Sequence, residues 1–256
     1  MPVMTTLGVI PARLDSSRLP GKLLLAETGK PLLQYAYETA AAVPELDAVV
    51  VATDSPEIAA AARGFGAEVV MTGEHPSGTD RAAEAVAGRD AELVVNLQGD
   101  EPELDAASVS KLVASMRAGD EMATLVTPFA AAAEVRDPGN VKCVRAADGR
   151  ALYFTREAAP HLREGSPEAW FADAAESDLP VQHCPWLLHL GVYAYRREFL
   201  LALSRMPPSP LERFEKLEQL RALEAGATIR AVVTPHRSVG IDTRADYDRF
   251  VARQSG

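Results

Sequence analysis

Apolar residues along this chain fall in short unbroken runs, set between longer stretches whose apolar positions recur with helical spacing. Leu7–Ile10, 47–53, 68–71, 92–97 and 122–127 are runs of Val, Ile, Leu and Ala without the alternation of a half-exposed strand. Such runs predict strands covered on both faces, as in a parallel sheet. Between them, 32–43, 57–63, 77–87 and 106–117 predict helices. Pro31 precedes the first, Asp54-Ser55-Pro56 starts the second, and Gly78 lies at the entrance of the third. Strand–helix alternation implies βαβ units with right-handed crossovers, which bring the loops after strands one, three and four to one sheet edge. The expected fold class is α/β: a Rossmann-like, mostly parallel sheet with helices on both faces.

The pattern changes after residue 139. The runs 141–145 and 151–154, with Asp148-Gly149 between them, predict a β-hairpin. Residues 160–185 read as loop-rich, with Trp170 and Phe171 among acids. A strand follows over 187–195. Next comes one amphipathic helix over 211–225 closed by Gly226, then a strand over 228–233 and a helix over 244–252. Ala130–Ala133 reads as ordinary helix or turn. There is no internal repeat, low-complexity tract or clean linker.

Composition narrows the function. The 256 residues, 47% of them apolar, suffice for one large domain, or one domain with a small insertion. Net charge is −10, from 26 basic and 36 acidic residues, which argues against a nucleic-acid backbone as the main partner. Cys143 and Cys184 form no CxxC pair and show no metal spacing with His161 or His183, so two free thiols in a reducing compartment are expected. No signal-peptide pattern opens the chain, and no run approaches the roughly 20 apolar residues of a membrane span. The expectation is a cytoplasmic protein with no membrane partner.

Candidate chemistry gathers at the expected sheet edge. After the first strand comes a polar loop with Arg13, Ser16, Ser17, Arg18 and Lys22, closed by Pro20-Gly21. Strand, basic loop, helix is one way an α/β protein builds an anion site. It is neither a Walker A loop, since Leu23 follows Lys22, nor a GxGxxG turn; a solvated loop is the plain alternative. Asp100 follows the fourth strand behind Gly99, and Asp242 follows Gly240-Ile241. An Asp at a strand end, where Gly lets a ligand approach, suits Mg2+, which takes few carboxylates plus waters and phosphate oxygens. The alternatives are a turn residue for Asp100 and an N-cap for Asp242.

Seven segments, in order over nearly the whole chain, carry a family resemblance: 8–22, His75–Arg81, Asn96–Pro102, Ala151–Arg156, His189–Tyr193, 208–212 with 217–221, and Gly240–Thr243. With them the chain resembles the sugar-activating nucleotidyltransferases, and among these the CMP-Kdo synthetase family. The resemblance implies CTP and a Kdo-type sugar acid as partners, with CMP transferred to the anomeric hydroxyl for lipopolysaccharide synthesis. It implies Mg2+ on Asp100 and Asp242, and Arg13 and Lys22, with Ser16 and Arg18, on the triphosphate. Pro11, Ala12, Ser77, Gly78 and Arg81 would contact the nucleotide. Gln98, Arg156, His189, Tyr193, Glu218 and Gln219 would hold the sugar acid. It further implies a single nucleotidyltransferase domain over 1–256, with about 140–200 as a smaller β-rich insertion that forms a homodimer. Asp15 departs from the family pattern, which has a small or neutral residue there, and must point outward or pair with Arg18.

The residues themselves leave plainer roles open. Ser77 caps a helix, Gln98 satisfies a strand end, His189 between two leucines is a core histidine, and only one of Glu218 and Gln219 faces a site from mid-helix. In a strand, His189, Gly191 and Tyr193 share one face, with Leu188, Leu190 and Val192 on the other. Two other functions fit the pattern less well: activation of another acid, of the 8-amino-Kdo or sialic-acid type, and non-catalytic nucleotide binding, against which both aspartates argue.

Overall fold

Ten α-helices, one short 3-10 helix and nine strands fold the described part of the chain in the computed structural model, which describes residues 5–16, 18–116, 120–176 and 184–254. In order they are β1 (Thr6–Ala12), α1 (Leu32–Ala41), β2 (Ala48–Thr53), α2 (Pro56–Gly64), β3 (Glu68–Met71), α3 (Gly78–Val86), β4 (Leu93–Asn96), α4 (Ala106–Ser115) and β5 (Met122–Pro128). Then come α5 (Ala132–Arg136), β6 (Lys142–Arg145), β7 (Ala151–Thr155), α6 (Pro167–Glu176), β8 (Leu187–Arg196), α7 (Arg197–Leu203), α8 (Pro210–Glu215), α9 (Gln219–Glu224), β9 (Ile229–Val233) and α10 (Arg244–Gln254). The expected helix over 106–117 ends at Ser115, and its Arg117 lies outside the described residues.

The chain divides into two compact units. The first comprises residues 1–114, 192–205 and 238–256. Its sheet runs β3-β2-β1-β4 with all neighbours parallel, and the end of β8 adds an antiparallel strand through Asn96 opposite Tyr193 and Leu93 opposite Arg196. Every residue of β4 is buried, and so is every residue of β1 but Pro11, which is the double-sided burial that the unbroken apolar runs require. Ser55 caps α2 by accepting from the Ile58 amide at 3.1 Å, with Pro56 at the first helical position.

The second unit comprises residues 115–191 and 206–237. Here β5 and β9 pair in parallel, and β6 and β7 form the expected hairpin, with Gly149 at φ 95° in its turn. The insertion expected over 140–200 lies in this unit up to Gly191, and residues 192–200 belong to the first. Two elements depart from expectation. The loop-rich stretch contains a helix, α6, whose Trp170 and Phe171 rings pack 5.7 and 5.9 Å from Trp186. Its signal was Ser166-Pro167: the Ser166 hydroxyl accepts from the Ala169 amide at 3.3 Å, capping the helix. The single helix expected over 211–225 is two, α8 and α9, broken at Lys216, which adopts the left-handed conformation at φ 56°. Hydrophobic periodicity runs through the break because a change of direction need not interrupt the apolar face.

Candidate functional site

The basic loop is held to the first unit by its leucines. Leu19 and Leu25 pack against Leu32, Ile241, Tyr247 and Phe250, so α1, α10 and the segment before Asp242 share one apolar cluster with the loop. Tyr247 donates its ring to this cluster and accepts the Glu27 amide at 2.9 Å, and Arg244 grips the Glu27 carboxylate at 2.7 and 2.8 Å. Gly21, at φ 65°, turns the chain into a short 3-10 helix, Lys22–Leu24.

That turn sends Lys22 inward. Its ammonium donates to Asp100 Oδ2 at 2.5 Å, Ile241 O at 2.8 Å and Asp242 Oδ1 at 3.0 Å. The second Asp242 oxygen meets Arg18 at 2.9 Å. Asp100 and Asp242, 142 positions apart in sequence, thus converge on one cationic centre; the Ile241 amide donating to Asp100 O at 2.9 Å holds the two segments together. Asp242 is not the cap of α10. Thr243 has that role, accepting from the Asp246 amide at 3.2 Å, while Asp246 accepts from the Thr243 amide and hydroxyl at 2.8 and 2.7 Å. The Asp242 carboxylate is left to bind cations. Arg13 is exposed and has no side-chain partner among the described residues, Ser16 is half-buried, and Asp15 is exposed while Arg18 pairs with Asp242 instead.

The glycine before Asp100 serves packing rather than ligand approach. A side chain at Gly99 would meet Leu33 at 3.2 Å and Ile10 at 3.4 Å, whereas the space beside Gly240 is open. A third carboxylate, Glu101, escaped the sequence reading although it follows Asp100 directly. Burial pushes its pKa up to about 7 against the pull of the Ser238 hydroxyl, with Asp100 and Asp242 adding repulsion. Ser238 thereby ties the segment that leads to Asp242 to the one that carries Asp100.

Other nominated residues of the first unit have evident structural duties. Ser77 caps α3, accepting from the Asp80 amide at 3.1 Å. Gly78 lies 3.7 Å, measured to a Cβ built there, from Pro11. Arg81 is buried and ties α3 to the ends of β2 and β3, bonding Asp54 at 2.8 Å, Thr72 at 2.6 Å and Gly73 O at 3.3 Å. Ala12 and Tyr193 are buried, Pro11 and Gln98 half-buried.

Four nominated residues belong to the second unit. His189 is half-buried, edge-on to Phe154 with centroids 5.1 Å apart, and its Nε2 lies 3.0 Å from the Thr124 hydroxyl. The Thr124 hydroxyl also lies 3.2 Å from Leu190 O, to which it can donate. Desolvation drives the His189 pKa down to about 3, and the ring is neutral. Arg156 holds Glu215 O at 2.8 Å and Pro138 O at 3.0 Å. Because the helix breaks, Glu218 and Gln219 stand at the start of α9 rather than mid-helix. Gln219 is buried, and its Nε2 has no hydrogen-bond partner among the described residues.

Two aspartates meet at one ammonium beside a basic loop, and the cytidylyltransferase family profile matches residues 7–229, which makes the chain a nucleotidyltransferase. The chain is 45% identical to the 3-deoxy-manno-octulosonate cytidylyltransferase of Syntrophotalea carbinolica, covering 99% of this chain and 100% of the relative. It is 42% identical to the enzyme of the same name from Geobacter metallireducens over 98% of each chain. A solved structure of CMP:2-keto-3-deoxy-manno-octonic acid synthetase complexed with CTP superposes with a TM-score of 0.87 at 38% identity over 98% of each chain. The chain belongs to the 3-deoxy-manno-octulosonate cytidylyltransferase family.

Proposed function

We propose that this chain joins CTP and 3-deoxy-D-manno-octulosonate into CMP-Kdo with release of pyrophosphate. The observation that carries the reading is the convergence of Asp100 and Asp242 on one point beside Arg18 and Lys22. The sugar's anomeric hydroxyl attacks the α-phosphorus of CTP, a P–O bond to the sugar forms, and the bond to pyrophosphate breaks. Arg13, Arg18 and Lys22 neutralise the triphosphate and the departing pyrophosphate. Asp100 and Asp242 would hold Mg2+; both already bond a single ammonium, so the pair fits one cation. Mg2+ bound there supplies Lewis-acid activation of the hydroxyl and charge neutralisation at the α-phosphate. Pro11, Ala12, Ser16, Ser77, Gly78 and Arg81 line the nucleotide's path in this reading.

In this reading Gln98 and Tyr193 are the sugar-acid candidates of the first unit, and Arg156, His189, Glu218 and Gln219 those of the second. The neutral His189 ring supports the reading, being the kind of uncharged polar group that a polyhydroxylated ligand needs. No helix among the described residues is long and apolar enough to cross a membrane, and we carry a cytoplasmic enzyme as part of the reading. We also carry a homodimer formed through about 140–200, which light scattering tests. The activity itself is tested by pyrophosphate release with CTP or UTP against a panel of sugar acids. CTP with Kdo should turn over fastest; release with a sialic acid but not Kdo would overturn the assignment.

A further inference from the structure

Lys22 spends all three of its ammonium donors inside the acid pair: Asp100, Asp242 and the Ile241 carbonyl take one each. The lysine is buried, and its route inward is fixed by the left-handed turn at Gly21 and the leucines on either side. Arg18 covers the remaining Asp242 oxygen. The charges of Asp100, Asp242, Lys22 and Arg18 cancel, so a divalent ion arriving alone meets no free carboxylate pair.

We infer that Lys22 is a built-in stand-in for the divalent cation, which keeps metal out of the acid pair until a polyphosphate draws the lysine away. The inference rests on the proposed metal role of Asp100 and Asp242. A triphosphate offers the ammonium a larger total negative charge than the two carboxylates it leaves, and the vacated carboxylates then accept the metal. Metal and nucleotide therefore bind with positive coupling, and by linkage each raises the other's affinity by the same factor. One side chain thus exchanges partners between resting and loaded protein: it balances the acids first and the phosphates afterwards. A metal loaded ahead of substrate is avoided, and the lysine never lacks an anionic partner, as a buried ammonium requires.

Mn2+ binding to the nucleotide-free protein, followed by electron paramagnetic resonance of the unbound ion, tests this without turnover. Wild type should bind Mn2+ weakly. Lys22→Met should bind it about ten-fold more tightly, although the same change damages catalysis, and Lys22→Gln, one atom shorter than lysine but with two donors, should lie between them. Thermal melts establish that each variant is folded. Adding Asp100→Asn to Lys22→Met should erase the gain. Equal or weaker Mn2+ binding by Lys22→Met, with Mn2+ still held through Asp100 when CTP is present, would overturn the stand-in role and leave the metal site intact. Mn2+ binding indifferent to Asp100→Asn in every form, CTP included, would overturn the metal assignment and the inference with it.

Discussion

Arg221 and Glu212, nine positions apart, grip each other through two parallel bonds, Nε to Oε2 at 2.8 Å and Nη2 to Oε1 at 2.5 Å, across the break between α8 and α9. Glu212 is also the third residue of the capping box of α8: it accepts the Ser209 amide at 3.0 Å while Ser209 accepts its own. Arg221 further reaches Met206 O at 3.0 Å. The pair thus fixes the angle at which Glu218 and Gln219 are presented.

Both side chains are about nine-tenths buried, so removing one strands the other. Arg221→Ala should cost about 3 kcal/mol in urea unfolding, and should raise the KM for the sugar acid more than that for CTP. Burial opposes ionisation of Glu212, but the Arg221 bonds prevail and hold its pKa below the usual range. Its stabilising contribution is therefore present above the unfolded carboxylate's pKa and fades as pH falls through the folded value.

Lys216 sits at φ 56°, where a side chain is strained and glycine is not. Lys216→Gly should stabilise the protein by about 0.5–1 kcal/mol and leave sugar-acid kinetics unchanged, as thermal melts and steady-state rates would show.

Asp100→Asn keeps the shape and removes the charge. It should lower kcat by at least about 100-fold while circular dichroism and the melting curve stay close to wild type. Near-normal turnover at saturating Mg2+ contradicts the assignment.

Glu101, with its pKa raised to about 7, holds a proton in the folded state that the unfolded chain has already released above pH 4.5. Its contribution to stability is fully present below pH 4.5 and is lost as pH rises to about 7. In metal-free buffer, Glu101→Gln should flatten that part of the stability curve.

His189 titrates with the opposite sign. Its pKa is about 3 folded and 6.5 unfolded, so its contribution is present above pH 6.5 and is lost as pH falls toward 3. His189→Ala should raise the KM for the sugar acid several-fold or lower kcat, with CTP affinity in titrations near wild type. Equal damage to both substrates together with a lower melting temperature would make it a core histidine only.

Much of this protein was legible in the sequence because the forces that shape its first unit are local or periodic. Unbroken apolar runs specify doubly covered strands, and Pro, Ser and Gly at their usual places set the helix ends, so β3 and the start of α1 lie where the pattern puts them. Asp100, Asp242 and the basic loop stood out because each sits at the end of a predicted strand or behind a glycine. What periodicity could not carry was decided by contacts distant in sequence. The break at Lys216 depends on a salt bridge spanning it, α6 on rings that meet Trp186, and the packing duty of Gly99 on Leu33 and Ile10. That Lys22 reaches the acids at all is a tertiary fact: its partners lie 78 and 220 residues away, and only the folded chain brings one ammonium within hydrogen-bonding distance of both.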